Sequence, residues 1–152
     1  MIGAGGGSRA VCYALLQEGA REILLVNRTR ERSEAIAEEF GGPINVLNWE
    51  ERRDALEGAA TVVNVTSQGM DGEDALDIRL DKLAESALAM DIIYTPLETP
   101  FLAAARDRGN RTLNGLGMLL HQGLPAWNMW FGVEPEVTED LRQRMEDSIS
   151  RN

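Results

Sequence analysis

Short apolar runs alternate along this chain with longer stretches whose apolar residues recur at helical spacing. Residues 22–27 (EILLVN), 61–65 (TVVNV) and 88–93 (LAMDII) are such runs, and 44–48 (INVLN) is a weaker one. Near-continuous apolar runs suit strands covered on both faces. Helical patterns lie between them. Val11, Ala14, Leu15 and Glu18 are helically spaced in the stretch from Ser8, which ends at Gly19. Thr29 predicts an N-cap for a helix to Phe40, stopped by Gly41 and Gly42. A short helix is expected from Asn48 or Trp49 to near Gly58. Thr99-Pro100 predicts a cap followed by proline at the first helical position, opening a helix to about Arg108. A short strand, Arg111 to Leu113, follows.

Alternating strands and helices predict an α/β fold: a Rossmann-like, doubly wound, mainly parallel sheet with helices on both faces. Beyond Gly115 the pattern changes. Residues 116–131 are a helix-like apolar stretch, and 136–150 a charged helix with Val137, Leu141, Met145 and Ile149 spaced four apart. That narrow apolar stripe must pack on something.

Residues 2–10 read IGAGGGSRA, placing Gly3, Gly5 and Ser8 at the positions of a G-x-G-x-x-G pattern. The first glycine permits a tight turn out of a strand, and the second lets backbone approach a pyrophosphate. The third position needs a small residue for close helix–strand packing, which serine satisfies. Free N–H groups at the following helix start then face the phosphates. A dinucleotide fold brings the end of its second strand to the adenosine ribose about 20 residues further on. Here that strand ends at Asn27, then Arg28 and Thr29. An NAD site would place an acid there. Neutral Asn27 and the guanidinium of Arg28, with Arg32 one turn on, predict a 2′-phosphate and therefore NADP. Arg30 is expected to point elsewhere. Only Met1 and Ile2 precede Gly3, against a normal strand of about five residues. The first strand is therefore expected to be mostly missing, through truncation or an internal start.

Composition narrows the classes. The formal net charge of −10 argues against a nucleic-acid partner, which needs a basic face. The acids from Asp71 to Asp81 and from Glu134 to Asp147 read as a solvated loop and a solvated helix face. No run approaches the roughly 20 apolar residues of a membrane helix, and no signal peptide is visible. The single cysteine, Cys12, reads as a packing residue and suits a reducing, cytoplasmic setting. At 43% hydrophobic and 5% aromatic residues, the core should be aliphatic.

Gly3-Ala4-Gly5-Gly6-Gly7-Ser8-Arg9-Ala10 resembles the glycine loop of shikimate dehydrogenases. Asn27-Arg28-Thr29, with Arg32, resembles their 2′-phosphate motif, and Asn64-Val65-Thr66-Ser67-Gln68-Gly69-Met70 their N-x-T-S-x-G-M segment. Asp91-Ile92-Ile93-Tyr94, then Pro96-Leu97-Glu98-Thr99-Pro100, is similar to their D-x-x-Y-x-P-x-x-T-P segment. Residues 115–123 resemble their G-L-G-M-L-x-x-Q-G segment. All fall in the family's order between residues 2 and 123.

The resemblance implies an NADP-dependent oxidoreductase of the shikimate pathway, in aromatic amino acid and chorismate biosynthesis. It implies that Gly3, Ala4, Gly5, Gly6 and Gly7 bind the pyrophosphate and Asn27, Arg28, Thr29 and Arg32 the adenosine phosphate. Thr66, Ile92 and Gly115 border the cofactor, the last two near the nicotinamide, and Tyr94 and Gln122 reach the substrate, shikimate or 3-dehydroshikimate. Two mild departures are Asn114, where the family often has aspartate, and Ile92, methionine in some relatives. The family's catalytic lysine and aspartate lie in a separate N-terminal substrate domain, and nothing here corresponds to them. Lys82, the only lysine, and His121, the only histidine, take no catalytic role. Residues 1–152 then form one cofactor-binding domain whose C-terminal helices (about 115–150) pack toward the absent domain, with a homodimer as another way to cover the stripe. A quinate/shikimate dehydrogenase-like enzyme and a non-catalytic NADP-binding module or inactive fragment are the competing readings.

Overall fold

The computed structural model describes residues 1–151. In chain order the elements are α1 (Gly6–Gln17), β1 (Ile23–Val26), α2 (Arg30–Phe40), β2 (Ile44–Leu47), β3 (Thr61–Asn64), β4 (Leu88–Asp91), α3 (Pro100–Asp107), β5 (Arg111–Leu113), α4 (Leu116–Phe131) and α5 (Glu139–Ile149). Strand and helix assignments from the apolar pattern hold within a few residues. The stretch after Asn48 differs: it forms two short 3-10 turns, Trp49–Arg52 and Asp54–Leu56. Glu51 reaches back to accept the Asn48 N–H at 2.7 Å, closing the start of the first of them.

Every strand pair is parallel. β1 pairs with β2, β3 with β4, and β4 with β5. The two groups are joined by Ile2, which bridges Val26 on one side and Asn64 on the other. Ile2 N–H donates to Val63 O at 2.9 Å, and Gly3 N–H to Val26 O at 2.8 Å. Met1–Gly3 thus occupy the middle of a β2-β1-Ile2-β3-β4-β5 arrangement, the Rossmann-like order. A cavity of about 590 Å³ lies between β1 and β3, lined by Ile23, Leu24, Leu56 and Val62 among others.

Apolar side chains fill both halves. Cys12, Ile23, Leu25, Ile36 and Ile44 pack α1 and α2 around β1 and β2. Val62, Leu76, Leu80, Leu83, Ala89, Phe101 and Leu102 pack the other half. Cys12 is fully buried, and burial pushes its thiol up. The acidic loop is more than solvated surface. Asp77 and Asp81 pair with Arg52 and Arg53, while Leu76 and Leu80 beside them enter the core.

Helix starts follow the sequence signals with one difference. Thr99 caps α3 as expected, accepting the Leu102 N–H, and Thr138, which the sequence reading did not name, caps α5 by accepting the Leu141 N–H. Thr29 holds the cap position of α2 without a side-chain bond. Its ψ is 99°, against 159° and 158° at the other two. On α5, Val137, Met145 and Ile149 are half-buried and Leu141 is exposed, so the stripe is only partly covered. Among the described residues no helix is long and apolar enough to cross a membrane.

Candidate cofactor site

The glycine loop leaves the centre of the sheet at Gly3, whose φ of +108° favours glycine. A Cβ there would also lie 2.8 Å from Thr66 Cγ2 and 3.0 Å from Val65 O. Ser8 is fully buried; its Oγ donates to Gly3 O at 2.9 Å and accepts the Gly5 N–H at 3.0 Å. Serine at the third motif position is therefore a polar clasp as well as a small residue. Asn27 ties the loop to the end of β1. Its Oδ1 accepts the Ala4 N–H at 3.2 Å and its Nδ2 donates to Thr29 O at 2.7 Å. Gly5, Gly6 and Gly7 are exposed, and a methyl group on Gly5 or Gly6 would meet no atom within 4 Å. Gly6 and Gly7 begin α1, where first-turn N–H groups have no intrahelical acceptor. This open cradle of backbone donors at a helix N-terminus fits an anionic diphosphate.

At the other side of Asn27 stand the cations. Arg28, Thr29 and Arg32 are exposed. Arg30 turns away, bonded to Glu34 at 2.8 Å and Asn48 at 2.9 Å. Among the described residues no side-chain hydrogen bond or ion pair engages Arg28 or Arg32. Two unpartnered guanidiniums beside the end of β1, on a chain of net charge −10, suit a phosphate.

Towards β3 and β4 the loop meets an apolar wall. A Cβ on Gly7 would stand 3.2 Å from Ile92 Cδ1. Gly115 approaches Ile92 more closely still: a Cβ there would fall 1.9 Å from Ile92 O. Its N–H donates to Ile93 O at 2.8 Å. Gly3, Thr66, Gly7, Ile92 and Gly115 thus form one connected surface. Tyr94 and Gln122 are exposed, and among the described residues neither side chain has a hydrogen-bond partner. Tyr94 follows the Ile92 wall directly, whereas Gln122 lies on α4 beside exposed His121, with no contact drawing it to the loop.

Three polar residues behind this wall stand in the sequence motifs, Thr99 also as a helix cap, but were given no place in the site. Asn64, Asp91 and Thr99 are fully buried. Asn64 Nδ2 donates to both Asp91 oxygens at 3.2 Å, and Thr99 Oγ1 donates to Asp91 Oδ2 at 2.8 Å. Ile93 N–H donates to Asp91 Oδ1 at 3.0 Å. Burial pushes the Asp91 carboxyl above its ordinary value, opposed by these three donors. The signal available in the sequence was a polar residue closing each of two apolar strands, TVVN and LAMD.

The family model described as shikimate / quinate 5-dehydrogenase matches residues 1–92, and that of the shikimate 5′-dehydrogenase C-terminal domain matches residues 115–146. A shikimate dehydrogenase (NADP(+)) of Paracoccus denitrificans is 52% identical over 143 residues, 94% of this chain and 51% of the relative. The chain spans about half the length of the curated relatives it matches. Among solved structures, quinate dehydrogenase from Corynebacterium glutamicum in complex with NAD superposes with a TM-score of 0.84 at 29% identity, covering 99% of this chain and 54% of that one. Shikimate 5-dehydrogenase from Thermus thermophilus, in complex with NADP(H) and shikimate, gives 0.77 at 35% identity, covering 99% and 53%.

Proposed function

The chain belongs to the shikimate / quinate 5-dehydrogenase family, and from that premise we propose that it is the NADP-binding half of an enzyme interconverting 3-dehydroshikimate and shikimate. The observation that carries the cofactor choice is the pair of unpartnered guanidiniums, Arg28 and Arg32, beyond an uncharged Asn27 that is itself bonded to the glycine loop. In this reading the loop from Gly3 to Gly7 holds the pyrophosphate, with the Gly6 and Gly7 N–H groups at the head of α1 left to donate to it while those of Gly3, Ala4 and Gly5 brace the loop. Asn27, Arg28, Thr29 and Arg32 hold the adenosine 2′-phosphate end. The free Thr29 hydroxyl supports this, since it is not spent on capping α2.

The chemistry that NADPH brings when bound is hydride transfer at the nicotinamide C4. The chain's own part is positioning. Ile92 gives the nicotinamide an apolar wall, and Gly115 lets the start of α4 close against it without a side chain. Thr66 borders the cofactor beside Gly3. Tyr94 and Gln122 offer a phenol and an amide to the substrate's hydroxyls and carboxylate, roles their unpartnered polar groups suit. In this reading the proton donor comes from a substrate domain outside these 152 residues. We assign the C-terminal helices, about 115–150, to contact with that domain. Light scattering on the purified chain reads whether the same face instead pairs two copies. A cytoplasmic setting belongs to the same reading.

Calorimetric titration tests the cofactor assignment: NADPH should bind and NADH bind far more weakly. A preference for NADH overturns the reading and favours the NAD-using quinate type. Mixed with NADPH and 3-dehydroshikimate, the 152-residue chain should show no appreciable NADPH oxidation; robust turnover contradicts the division of labour.

A further inference from the structure

Parallel strands buried on both faces normally close with aliphatic side chains, and a polar group there is destabilising unless fully bonded. β3 and β4 nonetheless end in Asn64 and Asp91, both fully buried. Each of their bonds outside the pair leads to a segment next to the glycine loop. Asn64 Oδ1 accepts the Thr66 N–H at 3.1 Å and the Thr66 hydroxyl at 2.7 Å. Asn64 Nδ2 donates to Gln68 O at 3.1 Å. Asp91 holds the Ile93 N–H, immediately beyond Ile92, and the Thr99 hydroxyl that in turn accepts the Leu102 N–H at the head of α3. Asn64 O also accepts the Ile92 N–H at 3.1 Å. The Asn64–Asp91 contact therefore locks residues 66–68 and 92–99 to one another. Those segments present Thr66 to Gly3 and Ile92 to Gly7 and Gly115.

We propose that Asn64, Asp91 and Thr99 are a positioning unit that fixes Thr66 and Ile92 against the glycine loop and so sets the seat of the nicotinamide end. They act through those residues and touch no cofactor themselves. The inference rests on the NADP reading above. Its distinguishing consequence is that disturbing the unit weakens the grip on the whole dinucleotide and spares the adenosine end, which is held beyond β1 by Asn27, Arg28 and Arg32. A purely structural role would weaken both together.

The test is calorimetric titration of the chain with NADPH and, separately, with 2′,5′-ADP, an adenosine-end fragment. Asp91→Asn and Asn64→Asp should each lower NADPH affinity about tenfold while 2′,5′-ADP affinity stays within about twofold. The reciprocal double variant, Asn64→Asp with Asp91→Asn, again places a donor opposite an acceptor within the pair and should recover part of the lost NADPH affinity, the Asn64 bond to Gln68 O staying lost. If the single variants do not fold, Thr99→Ala removes one carboxylate bond, leaves the strand pair in place, and should show the same split. Equal losses for both ligands, or unchanged NADPH affinity in a folded variant, overturn the positioning role and leave the NADP reading standing. A wild-type chain that binds neither ligand overturns the NADP reading and this inference with it.

Discussion

At the end of β1, Arg28 and Arg32 stand in solvent without partners, whereas at the ends of β3 and β4 Asn64 and Asp91 are fully buried with every side-chain polar atom bonded. Both regions flank the same glycine loop. The first offers charge and the second offers fixed geometry. An exposed guanidinium adds affinity for a phosphate but contributes little to the fold, since water already solvates it. A buried Asn–Asp contact does the reverse: it is bound up with packing and influences a ligand only through the residues it places. Substitutions on the two sides should therefore fail differently, in affinity on one and in stability on the other.

The largest effect is expected at Gly115. Its φ of −77° suits any residue, so the objection to a side chain is steric: a Cβ would overlap Ile92 O. Gly115→Ala should destabilise the chain by about 3 kcal/mol or more, read from urea denaturation. A loss no larger than that of an exposed arginine variant would break the contrast.

Next comes Arg28→Ala. NADPH affinity should fall roughly 30-fold, equivalent to about 2 kcal/mol, with the urea midpoint almost unchanged. The loss should shrink as salt is raised, because the site is exposed. Arg30→Ala, on a side chain already committed to Glu34 and Asn48, should leave NADPH binding near wild type. Equal losses at both arginines would mean that general positive charge, rather than the placement of Arg28, attracts the cofactor.

The smallest effect is a pH slope. Burial raises the Asp91 carboxyl above 3.8, so between that value and its folded value the native chain holds a proton that the unfolded chain has released. Within this window the group's contribution to stability falls as pH rises, and above it the penalty is constant. Asp91→Asn should remove that component, seen as a difference between wild-type and variant urea midpoints that changes with pH across the acid range. A pH-independent difference would show that the native environment does not disfavour the carboxylate.

Much of the fold was legible because it depends on local pattern. The apolar runs at 22–27, 61–65 and 88–93 and the Thr99-Pro100 helix start describe the chain's own backbone preferences. The 3-10 turns after Asn48 were less legible, since a short amphipathic stretch allows either helix type. At the site, the glycine spacing and the run Asn27-Arg28-Thr29 were readable because each residue type has its own physical reason to be there. Asn64 and Asp91 were visible only as letters in a motif.

The sequence by itself determined the alternation of strands and helices, the turn at Gly3, the small residue at Ser8 and the positive charge beyond Asn27. These follow from short-range sterics, side-chain size and charge. Tertiary structure alone decided that Arg30, expected to point elsewhere, also meets Asn48 while Arg28 and Arg32 stay free, and that the Ser8 hydroxyl clasps Gly3 and Gly5. It also decided that Gly115 is needed for its missing Cβ rather than for its φ, and that Asn64 meets Asp91. Asn64 and Asp91 lie 27 positions apart, beyond the reach of any local pattern, and parallel pairing of β3 with β4 is what brings them opposite one another.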